Sequence, residues 1–134
     1  MQYLLDTNIC IYLMQRHLPE VAARFAELGY GDVVISAITL AELRYGVECR
    51  PENRAAIEHA LEGLLADIPV MPFDEQAAVE YGVLRAAVRD RQRDALDRLI
   101  AAHARSLSLT LVTNNEAYFK DYPGLRVENW ITAR

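Results

Sequence analysis

The stretch "MQYLLDTNICIYL" (residues 1–13) sets an aspartate inside an otherwise apolar run. Gln2 to Leu5 read as a short buried strand, Asp6, Thr7 and Asn8 interrupt it, and Ile9 to Leu13 resume an apolar pattern suited to a helix. A charge at the end of a buried strand is costly unless something pairs with it. Asp6 can be a helix cap, since Asp, Thr and Asn all suit the residue before a helix. It can also be a ligand or a catalytic group, and the stretch by itself leaves both readings open.

Outward from this strand the pattern alternates. Helices are expected from about Asn8 and over "PEVAARFAEL" (19–28), followed by a turn at "GYGD" and a buried strand "VVIS" (33–36). Ser36 is placed to cap the helix "AITLAELRYGVE" (37–48), and "RPEN" breaks the chain before a helix near "RAAIEHALEGLLA" (54–66). A brief strand "PVMP" (69–72) precedes Asp74, which is placed to cap "EQAAVEYGVLRAAVRDR" (75–91). The helix "ALDRLIAAHARSL" (95–107), the strand "LTLVT" (109–113) and a last strand around "LRVENW" (125–130) complete the pattern. Strands alternating with helices imply a three-layer α/β fold: a mainly parallel central sheet with helices on both faces. A chain of 134 residues, without repeats or linker-like segments, is expected to be one domain over 1–134.

Composition narrows the function classes. No apolar run approaches the ~20 residues of a membrane span, and the start lacks a signal-peptide pattern, so a cytoplasmic protein is expected. Cys10 and Cys49 have no metal-site spacing and read as reduced thiols. A net charge of −5 argues against nucleic-acid binding unless a local basic surface exists. Arg85, Arg89, Arg91, Arg93, Arg98 and Arg105 supply such a segment, read either as an ion-paired solvated face or as a strip for phosphates. Arg44 and Lys120 are weaker candidates for similar contacts.

In open parallel sheets ligands collect beyond the carboxyl ends of the strands. Asp6 ends the first strand and Thr113-Asn114-Asn115 ends "LTLVT", so both groups belong to one edge. Glu42 lies on a helical stripe with Ile38, Tyr45, Gly46 and Cys49, beside the core stripe of Leu40, Leu43 and Val47. Asp97 aligns with Ile100, Ala101 and Ala104. One inward carboxylate can be a satisfied core residue. Three of them without a sequence-evident cation repel one another, and a hard divalent cation that takes oxygen ligands, Mg2+ or Mn2+, removes that repulsion. His103 has no second histidine at metal spacing and reads as structural, and Tyr118 and Phe119 read as packing residues.

The stretches "LLDTNICIYL", "ISAITLAELRYGVE", "LDRLIAAHARSLSLTLVTNNEAYF" and "YPGLRVENW" together resemble the PIN-domain ribonucleases, most closely the VapC-type toxins of bacterial type II toxin–antitoxin pairs. The resemblance implies a PIN fold and an Mg2+-dependent endoribonuclease that hydrolyses transfer or ribosomal RNA. It implies an acidic site at Asp6, Glu42 and Asp97, with Asn115 at a fourth position that is acidic in many relatives. Asp6, Asp97 and Glu42 would hold the metal, with Thr7 and Thr113 supporting them, and Arg89, Arg91, Arg93 and Arg98 would meet RNA. The partners implied are a VapB-type antitoxin and a second copy in a homodimer. The early helices "NICIYLMQRHL" and "PENRAAIEHALEGLL" offer apolar residues for an antitoxin groove.

Two departures stand out. Asn115 is neutral, which leaves three anionic positions. Many relatives carry a glycine turn shortly before the aspartate, where this chain reads "RDRQRDALDR"; Asp94 is expected to cap the helix from Ala95. A noncatalytic module that keeps this fold to bind RNA or protein is the alternative from another class.

Overall fold

The computed structural model describes residues 1–15, 19–91 and 93–131. Five short strands form one parallel sheet in the order β3-β2-β1-β4-β5: β1 (Tyr3–Leu5), β2 (Val33–Ser36), β3 (Val70–Met71), β4 (Thr110–Val112) and β5 (Val127–Glu128). The N-terminal strand is central. Tyr3 pairs with both Val33 and Thr110, and Leu5 with Val112. Parallel pairing requires crossovers. The chain makes them with α1 (Thr7–Gln15), α2 (Pro19–Ala26), α3 (Ala37–Glu48), α4 (Arg54–Asp67), α5 (Glu75–Ala87) and α6 (Ala95–Ser106); a four-residue helix, α7 (Glu116–Phe119), follows β4.

Strand alternation divides the core in two. Leu5, Val33, Ile35 and Val112 point to one face, where Ile9, Val21, Leu43, Val47, Leu61 and Leu64 cover them from α1 to α4. Leu4, Val34 and Leu111 point to the other, against Leu84, Ile100, Ala101 and Ala104 from α5 and α6. The parallel sheet is thus covered on both sides, as the sequence pattern implies. Full burial of a Leu or Ile side chain stabilises by about 1.5–3 kcal/mol, so these two clusters fix the layers.

The caps behave largely as expected. Ser36 accepts from Ile38 N–H and Asp74 from Ala77 N–H. Asp94 differs: it occupies the cap position of α6 in a left-handed conformation (φ 64°, ψ 37°), and its side chain makes no capping bond. The turn expected of a glycine is made there by an aspartate, a residue whose short side chain tolerates this region. The helix expected over 75–91 stops at Ala87. Val88 leaves the helical conformation, and Arg91 N–H bonds back to Val88 O in a turn. Two arginines account for that early stop. Arg91 reaches the Tyr118 carbonyl and the Asp121 carboxylate, and Arg98 takes the carbonyls of Arg91 and Arg93. Among the described residues no helix is long and apolar enough to cross a membrane.

Candidate active site

Asp6 caps a helix and also faces the carboxyl-end edge of the sheet. Its Oδ1 accepts from Ile9 N–H at 3.0 Å, so the carboxylate starts α1 as a helix cap does. The Thr113 hydroxyl hydrogen-bonds the same carboxylate from the end of β4. Asp6 is nearly fully buried, and burial pushes its carboxyl above the ordinary range; the bonds from Thr113 and Ile9 N–H oppose that rise, and the Glu42 charge adds to it. Capping explains one oxygen of Asp6. It does not explain why a second and third acid stand within electrostatic reach.

Those acids come from α3 and α6. Glu42 is half-buried, and its Oε1 accepts from the Thr7 hydroxyl at 2.6 Å, with the Thr39 hydroxyl 3.4 Å from that of Thr7. Thr7 therefore orients Glu42 from the first turn of α1. The stripe shared by Glu42 lies at the rim of the core: Tyr45 is 72% exposed and Cys49 is exposed, while Leu43 and Val47 are buried as expected. Asp97 is half-buried in the first turn of α6, above the buried Ile100, Ala101 and Ala104. Its carboxyl is raised from 3.8 to about 6, first by burial and then by the charges of Glu42, Asp94 and Asp6. Each of the three acids thus bears on another, and among the described residues none forms an ion pair with Lys or Arg.

No three His, Cys, Asp or Glu side chains of the described residues close into a ligand cluster. That arrangement does not suit a caged structural metal. It does suit Mg2+, which keeps several of its waters and needs only one or two protein carboxylates. The donor set is all oxygen, anionic and without a competing cation, so the residues present fit a hard divalent ion.

Asn115 is exposed at the start of α7. Its N–H donates to Thr113 Oγ1 at 3.1 Å, and its side-chain amide makes no hydrogen bond among the described residues. Asn114, which sequence reading did not single out, donates to the Tyr12 hydroxyl at 3.0 Å, and its side-chain oxygen is buried without a partner. The apolar run gives no sign of that contact, because Tyr12 reads as one more core residue of α1.

The arginines divide sharply. Arg89 and Arg93 are exposed, with no ion pair among the described residues. Arg91 is tied to Asp121 and Tyr118 O and lies over the Tyr118 and Tyr122 rings, at 5.1 and 5.8 Å. Arg98 corrects the expectation of an RNA contact: it is 1% exposed, and its Nη2 donates to two loop carbonyls. Arg44, another candidate, pairs with Glu58. Lys120 is exposed, Phe119 is buried, and the Tyr118 hydroxyl meets Asp94 O and the Tyr122 hydroxyl, a packing role.

Residues 3–125 match the family model described as PIN domain, and the chain belongs to that family. Within it the likeness is to VapC proteins. The chain is 40% identical to the tRNA(fMet)-specific endonuclease VapC of Shigella flexneri over 97% of this chain and 98% of the relative. It superposes on a chain of the DNA-bound VapBC crystal structure from Salmonella typhimurium with a TM-score of 0.88 at 36% identity, covering 97% and 98% of the two chains. A chain of VapBC2 from Rickettsia felis, bound to a promoter DNA fragment, gives 0.86 at 34% identity over 97% and 99%.

Proposed function

We propose that this chain, as one PIN domain over residues 1–134, is a divalent-metal-dependent endoribonuclease and the toxic member of a type II toxin–antitoxin pair. The observation that carries the reading is the uncompensated trio Asp6, Glu42 and Asp97 at the carboxyl-end edge of the sheet, with Asp97 raised to about 6. Asp6 and Asp97 would hold Mg2+ or Mn2+, and Glu42 would reach it directly or through water. When bound, such a cation lowers the pKa of a water molecule and offsets charge growing on the phosphate oxygens.

The remaining work belongs to the chain itself. Thr113 and the Ile9 N–H fix the Asp6 carboxylate, and Thr7 fixes that of Glu42, leaving Glu42 Oε2 to orient the hydrogens of a water. The amide of Asn115, exposed and without a hydrogen bond among the described residues, would donate to a phosphate oxygen. Arg89 and Arg93 supply exposed charge for the flanking backbone. The partners proposed are RNA, a VapB-type antitoxin and a second copy, for which exposed Val79 and Val83 on α5 offer apolar surface. Cytoplasmic RNA is the substrate pool, and the tRNA(fMet) of the Shigella relative's name makes initiator transfer RNA the first substrate to test.

Purified protein is incubated with transfer and ribosomal RNA in Mg2+, in Mn2+ and in chelator. Cleavage by the wild type in either metal, lost in chelator and in Asp6→Asn and Asp97→Asn, supports the reading. Intact RNA with every metal would return the chain to the class of noncatalytic binding modules.

A further inference from the structure

His103 is buried at 1% exposure on α6, and its contacts join two elements that each carry an acid of the site. Its Nδ1 lies 2.8 Å from Ser36 Oγ, and its ring meets the Phe73 ring edge-on at 5.4 Å. The ring also bonds the Pro72 carbonyl. A carbonyl only accepts, so that bond uses Nε2–H, and in a neutral imidazole Nδ1 is then the acceptor. Ser36 Oγ therefore donates to His103 while accepting the α3 capping bond from Ile38 N–H. Burial holds His103 below its usual pKa, against the opposing charge of Asp74, in keeping with this neutral form.

The bond sits at a lever point. Ser36 precedes Glu42 by six residues on α3, and His103 follows Asp97 by six on α6. At 1.5 Å per residue each acid stands about 9 Å along its helix from the bond. The start of α3 meets the later part of α6, while Glu42, further along α3, acts on Asp97 at the start of α6. The two helices thus pass in opposite directions, pinned at one point and carrying their acids at the next.

Resting on the metal-site reading above, we propose that His103 is a positioning residue: its bond from Ser36 sets the register of α6 on α3 and so the spacing of Asp97 from Glu42. A small rotation about the pin moves both carboxylates, and productive geometry is sensitive to displacements of about 1 Å. His103 touches neither substrate nor metal, so its effect has to pass through the acids.

Two variants separate this role from simple core filling. In His103→Asn the side-chain oxygen falls near the Nδ1 position and can still accept from Ser36, whereas the Pro72 bond is lost. In His103→Gln the amide reaches toward Pro72 and leaves Ser36 without its acceptor. Mn2+ affinity is measured by calorimetry in the absence of RNA, with kcat and KM for RNA cleavage alongside. The expected result is a Kd for Mn2+ raised about fivefold to tenfold in His103→Gln, with kcat lowered and KM held, and values within about twofold of wild type in His103→Asn. If both variants bind Mn2+ as wild type does, or both lose affinity equally, the pin is overturned while the metal site stands. If the wild type itself takes up no cation, the metal reading fails and the inference falls with it.

Discussion

Replacing Asp97 by Asn should make the metal-free protein more stable, by an amount that grows with pH. The Asp97 carboxyl is raised from 3.8 to about 6, so the folded chain keeps this proton to higher pH than the unfolded chain does. Between about pH 4 and pH 6 the folded state binds more protons, and stability falls as pH rises through that window; above it the penalty is constant. Unscreened, such a shift corresponds to about 3 kcal/mol. Asp97 is only half-buried, and solvent screening reduces this to roughly 1–2 kcal/mol. Asn keeps the shape and removes the charge, so urea unfolding in chelator should place the variant roughly 1–2 kcal/mol above wild type at pH 8, or about 5 °C in Tm. At pH 4 the two should nearly coincide. Saturating Mg2+ should stabilise the wild type more than the variant and narrow the gap at pH 8. A variant no more stable than wild type at pH 8 in chelator, or a gap that does not shrink on acidification, would refute the reasoning that mutual repulsion and burial strain this site.

Other substitutions separate structural from chemical roles. Asp6→Asn and Asp6→Ala should both abolish RNA cleavage, but Asn can still cap α1 while Ala cannot, so thermal melts should place Ala about 1 kcal/mol below Asn. Arg98→Met should destabilise by about 2–3 kcal/mol in urea, because two loop carbonyls lose their donor. Arg89→Ala with Arg93→Ala should leave stability within about 0.5 kcal/mol and instead flatten the salt dependence of RNA binding, measured by fluorescence anisotropy. Asp94→Gly should be about 1 kcal/mol more stable than Asp94→Ala, since only glycine adopts this left-handed φ without strain; equal stabilities would remove the backbone account of that turn.

Where one physical rule acts locally, the sequence could be read. Ser36 and Asp74 cap their helices because a short polar side chain before an apolar-periodic run has an N–H to accept from. Alternating strands and helices led to the parallel sheet, and helical spacing placed Asp97 over Ile100, Ala101 and Ala104. Legibility ended where a contact depends on distant partners. Arg98 follows an acid just after the arginine-rich stretch 85–93, and nothing in its neighbours says that two carbonyls from the preceding loop draw it inward. The left-handed Asp94 was equally hidden, because its sequence context suits an ordinary cap. Glu42 was placed by its stripe, but its hydroxyl partner Thr7 lies 35 positions away, joined to it only by the fold.

The central place of β1 bears on the order in which the molecule can be completed. Tyr3, Leu4 and Leu5 are synthesised well before β4, yet β4 is one of their two neighbours, its Thr110 pairing with Tyr3. Until β4 is synthesised, one edge of the first strand stays open, and Asp6 has neither the Val112 carbonyl for its N–H nor the Thr113 hydroxyl for its carboxylate. Such long-range pairing is the slow step of parallel sheets. An enzyme that attacks RNA is therefore assembled so that its first acid waits for nearly all the later elements. Until that strand docks, Asp6 lacks the two partners from β4 that hold it in place.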